Sequence, residues 1–85
     1  MDQKLRRDMN IGDNLRKLRY KAGFSQEKLC VELQRYKCDI GRTTYEKYES
    51  GELNIRISVL VALREIYDCK YDDFFEGLVA ERIDS

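Results

Sequence analysis

The apolar residues of this chain recur at every third or fourth position, which is the spacing of one face of an α-helix. Strand-like alternation of apolar and polar residues is absent. The first helical stripe is preceded by Asn10, which can accept from the free amides of the first turn. It ends at Gly23, because glycine tolerates the left-handed conformation that closes a helix. The stripe consists of Ile11, Leu15, Leu18 and Ala22.

A second helix is predicted to follow almost immediately. Ser25 is a typical N-cap, and the helix then begins at Gln26. The inner face of this helix would carry Leu29, Cys30 and Leu33.

Residues 34–41 are the least regular part of the pattern. Either the second helix lengthens through Arg35 and Tyr36 before a turn at residues 37–39, or the turn itself loops out. In both cases Ile40 is predicted to enter the core, and Gly41 or Asp39 would cap the next helix.

The third predicted helix, residues 42–50, has two chemically different faces. Tyr45, Tyr48 and Glu49 share one face because they stand at positions i, i+3 and i+4. Gly51 then ends the helix. A helix with an aromatic inner face and basic and hydroxyl side chains outside could lie in a groove of DNA. The outer face carries Arg42, Thr43, Glu46, Lys47 and Ser50.

Two more helices complete an all-α prediction. The last is short, covers residues 71–75, and has acidic residues in its first turn, where the helix dipole favours them. The fourth has an inner stripe of Ile57, Leu60, Leu63 and Tyr67, widened by Val61 and Ile66.

Composition narrows the classes of protein that the pattern allows. With 85 residues the chain forms one domain around one core. No apolar run approaches the ~20 residues of a membrane span, and the charged start lacks the apolar core of a signal peptide. We therefore expect a cytoplasmic protein without a membrane partner.

The chain offers little for catalysis or for binding a metal or cofactor. It has no histidine, no glycine-rich phosphate loop, and three cysteines of which no two are spaced as C-x-x-C. Asp72 and Asp73 lie in the first turn of a helix, where the helix dipole stabilises carboxylates, so they do not indicate a catalytic pair. We expect no enzyme, no metal site and no cofactor. The cysteines Cys30, Cys38 and Cys69 are expected to be buried or idle thiols.

The net charge of zero conceals an asymmetry along the chain. Residues 1–50 contain 12 lysines and arginines against 8 acidic residues, while residues 51–85 contain 4 against 8. This leaves room for one basic face, although charges can also segregate by chance. Arg6 and Arg7, in a charged N-terminal arm of residues 1–9, could reach a phosphate backbone or simply be solvated.

The order of these features resembles the Cro/C1-type helix-turn-helix domain, also called the XRE family. The resemblance spans about residues 10–76 and leaves residues 77–85 as a C-terminal tail. It rests on several short motifs in register. They are Ile11-Gly12, Leu15-Arg16-Lys17-Leu18-Arg19, Gly23-Phe24-Ser25-Gln26, Leu29-Cys30, Arg42-Thr43-Thr44-Tyr45, Lys47-Tyr48-Glu49-Ser50-Gly51 and Tyr71-Asp72-Asp73-Phe74-Phe75.

The resemblance implies a compact five-helix, lambda-repressor-like domain in which helices 2 and 3 form the DNA-reading unit. Arg19 and Glu49 would form a structural pair that ties the scaffold to helix 3. Gln26 and Thr44 would contact the DNA backbone or a base. The base-reading residues would be Arg42, Thr43 and Lys47.

Several positions depart from the family pattern. Leu33 and Arg42 are separated by residues 34–41, whereas the family usually has a three-residue turn, so the turn is lengthened here. Glu46 could accept from a cytosine or pair with Arg42, and we favour the pairing. Asp68 replaces the usual helix-ending glycine. The candidate phosphate contacts are Arg35, Lys37, Asn54 and Arg56, with solvated surface as the alternative for the first two.

These observations predict a sequence-specific DNA-binding transcriptional regulator, most simply a repressor of a bacterium or its phage. Such domains usually bind as dimers. The alternative is a protein-interaction module on the same fold, such as an antitoxin or a regulator that docks on the transcription machinery. The candidate dimer contacts are Phe74, Phe75, Leu78, Val79 and Ile83. Phe74 or Phe75 is expected to be partly core, and the alternative is that all five cover the protein's own helices.

Overall fold

The computed structural model describes residues 9–80, which form five α-helices and no strand. The predicted all-α fold, with a helix-turn-helix at the second and third helices, is confirmed. None of the described helices is long and apolar enough to cross a membrane. Arg6, Arg7 and Ile83 lie outside the described residues, as does nearly all of the predicted N-terminal arm. The helices are α1 (Gly12–Ala22), α2 (Gln26–Gln34), α3 (Arg42–Ser50), α4 (Ile57–Tyr67) and α5 (Tyr71–Phe74).

The helix ends follow from local sequence. The Ser25 hydroxyl accepts from the backbone N–H of Lys28 at 3.1 Å, which satisfies a free amide at the start of α2. Asn10 does the same for α1, because its Oδ1 accepts from the Gly12 N–H at 2.9 Å. Gly23 and Gly51 close α1 and α3 in the left-handed conformation, with φ of 82° and 83°.

The core lies between the helices: α3 packs on α1 and α2, α4 packs on the same two helices, and α5 packs on α1. Buried aliphatic and aromatic side chains from all five helices fill it, which removes their surfaces from water. Its fully buried members are Leu15, Leu29, Leu33, Tyr45, Val59, Leu63 and Phe74.

The start of α1 lies directly against the end of α3. A Cβ atom at Gly12 would collide with the backbone carbonyl of Glu49. Only glycine therefore lets the two backbones approach this closely. The contact fixes the position of α3 relative to α1.

The predicted inner face of α4 is wrong at two positions. Ile57 is 76% exposed and Val61 is 43% exposed, whereas Val59, Ala62 and Leu63 are buried. The helix is apolar around most of its circumference, so periodicity alone does not decide which stripe faces the core.

The lengthened connection between α2 and α3 is a turn and does not extend the regular helix. Leu33 accepts from the N–H groups of Tyr36 at 2.9 Å and Cys38 at 3.0 Å, and Gln34 accepts from that of Lys37 at 3.1 Å. Lys37 adopts the left-handed conformation, with φ of 62°. This is the hydrogen-bond pattern of a Schellman motif, which normally places glycine where Lys37 stands.

Candidate nucleic-acid interface

The two faces of α3 differ sharply in burial. Tyr45, Tyr48 and Glu49 are all buried against the rest of the domain. The opposite face is open to solvent, and Thr44 is half-buried at the boundary between the two. The exposed side chains are those of Arg42, Thr43, Glu46, Lys47 and Ser50.

The inner face of α3 is held by the carboxylate of Glu49, which accepts two hydrogen bonds from Arg19. Arg19 Nε lies 2.6 Å from Glu49 Oε2, and Arg19 Nη2 lies 3.1 Å from Oε1. Both side chains are buried. Two parallel charge-assisted bonds fix orientation as well as distance, so this contact sets how α3 lies on the scaffold.

Two further groups reach the same carboxylate region. Gln26 Nε2 donates to Glu49 Oε1 at 3.2 Å, and Arg16 Nε lies 3.7 Å from that oxygen. Arg19 Nη1 also donates to the backbone carbonyl of Phe24 at 3.0 Å. Arg19 therefore joins α1, the entry to α2 and the end of α3 in one network.

The charges of this network depend on one another. Burial alone would raise the pKa of the Glu49 carboxyl, but hydrogen bonds from Arg19 and Gln26 outweigh burial and lower it. The bond to Glu49 in turn holds the pKa of Arg19 above its ordinary value. Both groups are therefore charged at neutral pH.

Two tyrosine hydroxyls lie buried near this pair. Those of Tyr45 and Tyr67 have no hydrogen-bond partner among the described residues. Burial raises the pKa of both phenols, so they remain neutral.

Gln26 connects the buried network to the exposed face. While its amide nitrogen donates to Glu49, its Oε1 accepts from Arg42 Nε at 3.3 Å. The first predicted base-reading residue is thus held through one glutamine by the carboxylate that anchors α3. The sequence placed Gln26 at the start of α2, but did not reveal this bridging role.

The favoured pairing of Arg42 with Glu46 is wrong. Within residues 9–80 no ion pair joins them, and the Arg42 guanidinium donates to Gln26 across the two helices. The helix spacing of the two residues permits the pair. The competing partner on α2 becomes visible only once α2 and α3 are in place.

The candidate phosphate contacts lie on the segments that flank α3. Arg35 and Lys37 are exposed in the turn before it, and Asn54 and Arg56 are exposed in the loop after it. Arg35 Nε lies 3.7 Å from Glu32 Oε2. Arg56 is the N-cap of α4, and its side chain makes no capping hydrogen bond.

The predicted dimer contacts divide into two groups. Phe74 is fully buried in the core, so it is wrong as a dimer contact, and the expectation that one of the two phenylalanines is core is confirmed. Phe75, Leu78 and Val79 are exposed, by 48%, 36% and 74% respectively. The first phenylalanine of the pair therefore holds α5 in place and the second is open to solvent.

Sequence reasoning missed two other residues that position the site. Arg16 reaches the backbone carbonyl of Glu49 at 3.5 Å, and its place three residues before Arg19 could have indicated a shared face. Asn14 Nδ2 donates to the carbonyls of Phe74 at 2.9 Å and Glu76 at 3.0 Å, which ties α1 to the end of α5. No residue spacing indicates that second contact.

The cysteines take no part in the interface network. All three are free thiols; Cys30 and Cys38 are buried and Cys69 is half-buried. Burial raises the pKa of the Cys30 thiol more than nearby Arg42 lowers it. Among the described residues, no group of three His, Cys, Asp or Glu side chains could hold a metal ion.

A buried scaffold that presents one polar helix face beside a second helix defines the helix-turn-helix class of domain. A family profile described as a helix-turn-helix domain matches residues 10–73. The chain therefore belongs to this family, which is part of the XRE/Cro-C1-type superfamily, and the predicted resemblance is confirmed. No curated protein and no solved structure matches the chain.

Membership in this family indicates a DNA-binding regulator in general terms, with DNA as the partner. Families of this kind are typically not enzymes.

Proposed function

We propose that this protein is a sequence-specific transcriptional regulator that acts as a repressor in the cytoplasm of a bacterium or in phage-infected cells. It reads the major groove of DNA with α3. The observation that carries the proposal is the exposed row of Arg42, Thr43 and Lys47 on a helix whose opposite face is fixed by the buried residues Tyr45 and Glu49.

The chemistry of the row suits base reading. An arginine reaches guanine O6 and N7 together, and a lysine can do so less selectively. Thr43 can donate to a base and offer its methyl group to thymine. Arg42 begins the helix and Lys47 follows about one and a half turns later, so the two would meet successive positions along the groove.

The residues around α3 suit backbone contacts. Gln26 is the first residue of α2, where free amides and the helix dipole favour a phosphate. Thr44 is half-buried beside the reading row. Asn54 and Arg56, exposed after α3, would bind phosphates on its other side. Such contacts set register and orientation but carry no sequence information.

We further infer a homodimer, which would place two copies of α3 about 34 Å apart on one side of the duplex. Exposed apolar side chains at the C-terminal end of the described chain support this inference, namely those of Phe75, Leu78 and Val79. Phe75 also lines an open groove of about 160 Å³ together with Met9 and Leu53. A second copy would cover these surfaces.

The test is a selection of the full chain against random duplexes, followed by footprinting and binding titrations at several salt concentrations. We expect one enriched site with two-fold symmetry and an affinity that falls steeply with salt. The matched control is Lys21→Ala, an exposed cation of α1, which should select the same site. Failure to enrich any sequence from the random pool would contradict the proposal.

A second candidate function is a protein-interaction module on the same fold, such as an antitoxin or a regulator that docks on the transcription machinery. The exposed Ile57 and Val61, one turn apart on the outer face of α4, favour it, because a contiguous exposed apolar patch often marks a protein-binding site. Retained binding of a protein partner, with no DNA binding even at low salt, would support this candidate over the first.

A further inference from the structure

The turn between α2 and α3, residues 35–41, is held in a defined conformation. Cys38 and Ile40 are both buried in the core. The Cys38 Sγ lies 3.6 Å from the backbone oxygens of Tyr36 and Ser58, so it contacts both the turn itself and the first turn of α4. Together with the backbone bonds to Leu33 and Gln34, these contacts hold the additional residues of the turn in one fixed conformation.

Lys37 occupies the position of this turn whose backbone conformation is unfavourable for lysine. Its φ of 62° is left-handed, and a Cβ-bearing side chain is strained there. The only other described non-glycine residue with positive φ is Asp68, a residue type that adopts this conformation more readily. The backbone bond from the Lys37 N–H to Gln34 would form equally well with glycine. Non-glycine residues in strained conformations occur preferentially at functional sites.

The turn is positioned beside the proposed reading surface. It runs directly into Gly41, the N-cap of α3, and then into Arg42. Through Cys38 it also contacts Ser58, two residues after the exposed Arg56. The turn is therefore next to two segments that the proposed function assigns to DNA.

The two cations of the turn, Arg35 and Lys37, differ in their contacts. Arg35 lies within 3.7 Å of the Glu32 carboxylate, whereas Lys37 forms no ion pair among residues 9–80. Lys37 is exposed, and so is the acidic Asp39 two residues later. The carboxylate of Asp39 would be repelled by phosphates if the whole turn entered the DNA backbone. A single phosphate contact through the longer Lys37 side chain avoids this repulsion.

We propose that the α2–α3 turn is a second DNA-contact element, in which the Lys37 ammonium group binds one backbone phosphate flanking the bases that α3 reads. This inference rests on the proposed function. The anchored turn holds the Lys37 backbone in a fixed position relative to Arg42, so that the contact sets the register of α3 in the groove. It adds affinity for any duplex and no preference for particular bases.

The experiment uses the full chain and the variant Lys37→Asn, which removes the charge and tolerates positive φ. Binding is titrated against the selected duplex and an unrelated duplex over a range of salt concentrations. We expect a several-fold loss of affinity on both duplexes at low salt. The slope of log K against log salt should fall in magnitude by about 0.9, the value for one phosphate contact.

Two controls separate this loss from unfolding and from a general charge effect. Lys37→Asn should melt at the same temperature as the parent chain or higher, because the strain at this position is reduced. Lys70→Asn removes one positive charge at the N-cap of α5, a position that asparagine favours, and should leave affinity and slope unchanged.

The outcomes distinguish the two proposals. If the parent chain binds its selected site and Lys37→Asn binds with the same affinity and salt slope, the turn is no contact element and the proposed function stands. If Lys37→Asn instead changes the preferred sequence, the turn reads bases and the phosphate assignment is wrong. If the parent chain binds no duplex at low salt, the proposed function itself fails.

Discussion

The two faces of α3 show how differently one short helix can be constrained. On the inner face, Glu49 is buried and accepts bonds from Arg19 and Gln26, so its contacts within the protein are nearly saturated. On the outer face, Thr43 and Lys47 are exposed. The inner face therefore sets where the helix lies, and the outer face is left open to a partner. Variants that act on stability should map to the first face, and those that act on DNA binding to the second.

The largest expected effect is that of Arg19→Ala. It removes the main cationic partner of a buried carboxylate, which typically costs about 3–5 kcal/mol of unfolding free energy. Urea unfolding followed by circular dichroism measures the loss. Lys17→Ala, an exposed position on the same helix, is the control and should change little. An unchanged unfolding free energy in Arg19→Ala would mean that this pair does not hold α3.

The same pair predicts how stability depends on pH. Because the pKa of Glu49 is lower in the folded protein than in the unfolded chain, its contribution is complete above the ordinary glutamate pKa of about 4.3. The contribution is lost as the pH falls through the lowered value. Urea midpoints of the parent chain and of Glu49→Gln should therefore differ most at pH 7 and converge towards pH 3. Parallel curves over this range would show that the carboxylate charge adds no stability.

A smaller loss of stability is expected for Gly12→Ala. The added methyl group meets the Glu49 carbonyl and must displace α1 from α3, at a cost of about 1–3 kcal/mol. Gly41→Ser is the control, since a Cβ there has no neighbour within 4 Å and serine suits the N-cap position of α3. Thermal unfolding compares the two variants. Equal melting temperatures would contradict the close approach of the two helices.

The outer face is tested by Arg42→Ala, which should weaken binding to the selected duplex by about 1–3 kcal/mol and relax preference at one or two base pairs. Its melting temperature should stay close to that of the parent chain, because Arg42 is exposed. Titration on the selected site and a repeated selection measure both effects. Retention of full affinity and preference would remove Arg42 from the reading surface.

Sequence could predict the parts of the fold that depend on local chemistry. Ser25, Gly23 and Gly51 mark helix ends because caps act through neighbouring backbone groups. The two faces of α3 could also be predicted, since its aromatic residues and its basic residues recur on opposite sides at helical spacing. The helix-turn-helix arrangement followed from the order of these elements.

The parts that sequence could not predict depend on how the helices meet. Because α4 is apolar around most of its circumference, packing against the other helices decides which stripe is buried. In the structure Ile57 faces solvent. The bond from Arg42 to Gln26 depends on the angle between α2 and α3. The conformation of the lengthened turn depends on the contact between Cys38 and Ser58, which is twenty residues later in the chain.

The bond between Arg19 and Glu49 joins residues 30 positions apart. This matters for grafting the reading helix onto another protein and for folding during translation. A peptide that contains only α2 and α3 lacks Arg19, so it would lose the contact that orients the reading helix. The smallest unit that can be grafted onto another protein therefore begins at α1. During translation the contact needs only residues up to Glu49, so it can form while α4 and α5 are still inside the ribosome.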